Sequence, residues 1–84
     1  MGTPSQPVTL SLEQLEELSR RLSTMRHDIN NNLSLIIAAV ELIRHKPEIA
    51  ERMMATLVEQ PAKISASMNK FSTEFERTLG FTAR

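Results

Sequence analysis

His27 and His45 are the only side chains in this 84-residue, cysteine-free sequence that are nucleophilic and also change charge near neutral pH. His27 stands in the run Arg26-His27-Asp28-Ile29-Asn30-Asn31-Asn32, beside a carboxylate and three consecutive amides. Asparagine is a poor helix former, so three in a row inside a helical pattern break a local rule and mark a candidate site. The plain alternative is a solvated histidine on a helix surface. His45 lies at the expected end of a helix, where it complements the dipole. Eighteen residues separate it from His27, with no carboxylate spacing for a shared metal. Ser23 is one turn before His27, but Ser-His-Asp hydrolysis needs a pocket and oxyanion donors that a helix surface hardly offers. The methionines, Met25, Met53, Met54 and Met68 among them, read as adaptable core filler.

The elements that must carry these residues are two helices. Residues 1–10 hold Gly2, Pro4 and Pro7 among small polar residues and read as a disordered lead. Ser11 and Gln14 have capping-box spacing, and Glu13, Glu16 and Glu17 suit the positive end of a helix dipole. Apolar residues then recur in heptads at Leu15, Leu18, Leu22, Met25, Ile29, Ile36, Ala39 and Ile43. No glycine or proline intervenes before Pro47, which predicts a first helix over about 12–46, roughly 50 Å long. Pro47 can open a second helix, about 47–79, whose rhythm runs Met54, Leu57, Pro61, Ile64, Met68, Phe71 and Phe75. Pro61 removes one backbone hydrogen bond and should kink this helix without ending it, because the rhythm keeps its phase. Gly80 offers a stop, with 81–84 as a tail.

With Leu22 and Ile29 at heptad position a and Met25 at d, His27 falls at f, the most exposed place on the helix. Asn31 falls at c, one turn on and on the same side, and Asp28 at g, flanking the seam. Asn32 occupies a d position that packing would fill with leucine.

Composition narrows the class. The hydrophobic 40% is mostly Leu, Ile, Met and Ala, which favours an all-α fold over sheet. Ten basic residues balance ten acidic ones, so nothing electrostatic points to nucleic acid or an anionic membrane. The longest uncharged run, Ile29 to Val40, is too short to cross a bilayer. There is no signal-peptide pattern at the start, and Gln6 stands where myristoylation needs Ser or Thr. A cytoplasmic setting is expected. Two long helices leave an apolar stripe that a lone antiparallel hairpin does not cover. A second copy, giving a two-fold four-helix bundle, is the economical solution, and docking on another protein is the alternative.

His27-Asp28-x-x-Asn31, followed by Leu33 and a long apolar helix, resembles the H-box of the dimerisation and phosphoacceptor domain of bacterial two-component sensor histidine kinases. The order of elements is similar too, a long helix with an early-middle histidine, a short turn and a second helix. The resemblance covers about Ser11 to Gly80. It implies that His27 is the phosphoacceptor, attacking through an unprotonated ring nitrogen. It implies that Asp28 orients the imidazole and accepts its proton, and that Asn31 positions water in members with phosphatase activity. Many members carry proline where this chain has Asn32. Asn32 keeps its backbone donor, so a weaker bend is expected there.

A histidine kinase also needs a nucleotide-binding domain with glycine-rich motifs, and Gly2 and Gly80 are the only glycines. The chain is therefore expected to bind no cofactor and no metal, with ATP and magnesium on partner domains. Two readings remain, a phosphoacceptor domain cut from a kinase or a free-standing phosphotransfer protein. A start at Met1 is expected of the second, whereas the residues after Gly80 could equally begin a linker. The expected partners are a second copy, the receiver domain of a response regulator, and a separate or linked kinase catalytic domain. The competing class is a purely structural homodimeric bundle with a vestigial H-box.

Overall fold

The computed structural model describes residues 7–80, and the outer parts of the lead and the tail after Gly80 lie outside them. Two helices make up the fold, α1 over Leu12–His45 and α2 over Ala50–Leu79, with no strand among the described residues.

The start of α1 follows from its capping box. Ser11 is extended, its hydroxyl accepts from the Gln14 backbone N–H at 3.1 Å, and the Gln14 side-chain oxygen accepts from the Ser11 N–H at 2.8 Å. Two of the four N–H groups left open at a helix start are thereby used. The other end is set by Pro47. A residue before proline is pushed out of the helical region. Lys46 accordingly takes φ −137° and ψ 79°, while its N–H still closes on the Leu42 carbonyl at 2.8 Å. The chain reverses through one 3-10 turn, Pro47–Ile49, so the expected single helix from residue 47 begins instead with a tighter turn. α2 runs unbroken through Pro61 and stops at Gly80, whose N–H still bonds to the carbonyls of Glu76 and Arg77 while its φ of 82° turns the following chain out of the helix.

The described residues measure 57 × 25 × 12 Å. The smallest extent is one helix diameter, so the hairpin is a single layer with two open faces. Its radius of gyration, 17.8 Å, far exceeds the roughly 12 Å of a compact chain of this length.

One line of the heptad pattern closes the hairpin. Leu18 and Ala39 are buried, and Met25, Ile29, Ile36 and Ile43 are half-buried against Met53, Leu57, Ile64, Phe71 and Phe75. The Phe71 and Phe75 rings stack one turn apart, with centroids 5.9 Å from each other. The other line stays in the open. Leu15, Leu22, Met54 and Met68, all expected in the apolar stripe, are 41–53% exposed, because two helices cover only one side of each. Helical phase, at about 100° per residue, puts Leu15, Leu22, Leu33 and Val40 of α1 on the same side of the layer as Met54 and Val58 of α2. Gln60 and Glu76 are the buried polar side chains among the described residues.

Candidate functional site

His27 is exposed in the middle of α1, with more than four turns of regular helix on either side. Asn31 follows it by one turn and is also exposed. In a helix this spacing puts the two side chains about 5–6 Å apart at their Cβ atoms. Both point away from α2. Asp28, one residue on, is swung by about 100° towards the second helix. It lines an open groove of about 310 Å³ between α1 and α2, together with Arg21 and Thr24 of α1 and Ser67, Lys70 and Glu74 of α2. This groove lies on the face of the layer opposite the exposed aliphatic residues.

The three expected site residues thus share one stretch of helix without being joined. Among the described residues no hydrogen bond links His27 to Asp28 or to Asn31. His27 is held by its backbone alone, and its ring is free to meet a partner from solvent. The groove walls are better braced. Arg21 pairs with Glu17 at 2.8 Å and reaches Glu74 across the hairpin at 3.6 Å, and Arg20 also pairs with Glu17. Such part-exposed pairs contribute up to about 1 kcal/mol each, so they shape the groove more than they hold the fold.

Asn32, the amide at a d position, lies in the seam as that position implies. Its amide turns inward, donating from Nδ2 to Gln60 Oε1 at 2.9 Å, and Gln60 Nε2 donates to the Thr56 carbonyl at 2.9 Å. The missing leucine at this d position therefore has a structural partner, which the reading of three unexplained asparagines lacked. Gln60 was missed because the apolar rhythm of α2 passes through its neighbour Pro61. A signal existed: Asn32 and Gln60 each lie fourteen residues from Lys46, so folding the sequence at the turn sets them opposite one another. His45 is exposed at the end of α1, 4.0 Å from Glu41. Among the described residues no group of three His, Asp or Glu side chains gathers as a metal-ligand set, and no helix is long and apolar enough to cross a membrane.

No known protein family matches this chain, and no curated protein or solved structure is significantly similar to it.

Proposed function

We propose that this chain is a histidine phosphotransfer module of two-component signalling, in which His27 exchanges a phosphoryl group with the aspartate of a response-regulator receiver domain. The observation that carries the reading is the outward, unencumbered His27 on a long regular helix, with Asp28 turned to the groove and Asn31 one turn away. Its likeness to the H-box of sensor kinases supplies the chemistry. A neutral ring nitrogen attacks phosphorus, a P–N bond forms, and the P–O bond to the donor breaks. In the family's manner Asp28 takes the imidazole proton, and Asn31 orients water when the phosphorylated partner is hydrolysed. ATP and magnesium belong to the partner domains, and the setting is cytoplasmic.

The working unit in this proposal is a homodimeric four-helix bundle. The chain exposes 6509 Å², against about 5,000 Å² for a compact monomer of its mass. The excess is of the order of what one partner contributes to a stable interface. Leu15, Leu22, Leu33, Val40, Met54 and Val58 are exposed on one side of the layer, with Arg26 between Leu22 and Leu33, and are side chains of the kind a second copy would cover.

The Asn32–Gln60 bond favours a second reading, a structural dimerisation bundle, because it gives one of the three asparagines a purely architectural role. Phosphoryl uptake separates the two. Mixed with a phosphorylated receiver, or with a kinase catalytic domain and ATP, the wild type should gain an acid-labile, alkali-stable label that His27→Gln abolishes. Wild-type protein that stays a folded dimer yet takes no label from such donors would establish the structural reading.

A further inference from the structure

On the side of the layer that holds Leu22 and Met54, each helix carries a stripe that can be read outward from the turn. The Asn32–Gln60 bond fixes the levels, because its two residues lie equally far from Lys46 along the sequence. In α1 the stripe runs Val40, Leu33, Arg26 and Leu22, and in α2 it runs Met54, Val58, Ser65 and Met68. Taken in order, each α1 residue lies within two residues of its α2 counterpart's level, about 3 Å along the axis. Both stripes therefore read apolar, apolar, polar, apolar. Arg26 is the charged member. It is exposed between Leu22 and Leu33, and no ion pair holds it among the described residues.

A second copy can cover this side in two directions, because a two-fold axis between the layers runs either along the helices or across them. With both turns at one end, α1 of each copy lies on α2 of the other. Val40 then meets Met54, Leu33 meets Val58 and Leu22 meets Met68, while Arg26 meets Ser65, whose hydroxyl accepts from a guanidinium. With the turns at opposite ends, α1 lies on α1. Full overlap then sets Arg26 beside Leu33 of the second copy, and a slide of about 8 Å sets it on the second Arg26. The first removes a guanidinium from water without an acceptor, and the second opposes like charges. We infer that Arg26 fixes the direction in which two copies pair, favouring turns together and excluding the reversed dimer. A lone polar residue in an apolar seam sets register and partner geometry in coiled coils by the same physics. The inference rests on the homodimer proposed above and is independent of phosphoryl chemistry at His27.

Because the sequence has no cysteine, one spin label per chain can be placed at Lys46→Cys, beside the turn, or at Glu16→Cys, near the start of α1. Both positions are exposed. With turns together each label faces its counterpart across a bundle about two helix diameters wide, so both distances should fall below about 35 Å. In a reversed dimer the two distances must add to at least about 90 Å, however the copies slide, so one of them exceeds about 40 Å. Arg26 is exposed in its own chain, so Arg26→Leu should leave the hairpin intact and add a long distance beside the short one. A long distance at either site in otherwise wild-type protein overturns the inference and leaves the dimer standing. Short distances alone in Arg26→Leu also overturn it, since direction would then be set without Arg26. A mass of 9.5 kDa in sedimentation equilibrium overturns the inference and the proposed dimer together, while phosphoryl uptake at His27 is decided by its own assay.

Discussion

The two faces of this one-layer hairpin differ in what they leave undone. One face shows a charged groove lined by Asp28, Arg21, Lys70 and Glu74, all of them content in water, while His27 and Asn31 point outward along the free edge of α1. The opposite face shows Leu15, Leu22, Leu33, Val40, Met54 and Val58, which gain nothing from water and would gain about 25 cal/mol for each Å² removed from it. A two-helix layer has no third element to resolve this contrast internally. Under the proposed function, phosphoryl transfer and self-association would use different surfaces, so a change on one should be read in its own assay and leave the other unmoved.

The largest expected effect is at His27, on the outer edge of α1. His27→Gln should remove all phosphoryl label while leaving helicity and oligomeric mass as they were, since an exposed substitution of this kind shifts stability by no more than about 0.5 kcal/mol. A loss of dimer in that variant would break the division. Next comes the aliphatic face. Leu22→Glu with Leu33→Glu should weaken self-association by more than about 100-fold, because two carboxylates would be desolvated. Sedimentation equilibrium should then report 9.5 kDa in place of twice that mass, and an unchanged dimer would show that the copies meet elsewhere.

Smaller effects test the scaffold that both faces share. Gly80→Ala meets no atom within 4 Å, so its cost is backbone strain at φ 82° alone, about 1 kcal/mol by thermal or denaturant unfolding. A neutral result would show that the last turn of α2 refolds without its left-handed cap. Arg21→Ala removes the ion pairs to Glu17 and Glu74 and should cost about 0–1 kcal/mol, the smallest change of the set, and less in high salt. A larger loss would mean that the groove wall is part of the fold's foundation.

Much of the scaffold was legible before any coordinates. Ser11 with Gln14, Pro47 and Gly80 are local signals, acting on backbone groups within four residues of themselves, and each marks a boundary that the structure keeps. The exposure of His27 was legible for the same reason, since heptad phase is a property of one helix. Less legible was the division of the apolar rhythm. Leu15 and Leu18 look alike in sequence, yet one is open and the other buried, because burial depends on which side the second helix takes. Gln60 was hidden for a related reason. A glutamine beside a proline carries no local sign of being almost completely buried.

The sequence by itself determined that two long helices form, where the first begins and ends, where the second stops, and that His27 and Asn31 point outward, because caps, proline and helical periodicity act over a few residues. Only the tertiary structure decided that Asp28 overlooks a groove shared with α2, that Asn32 turns inward to Gln60, and that an aliphatic face is left uncovered. Each of these depends on how α1 is rotated against α2, which is set by contacts between residues far apart in sequence.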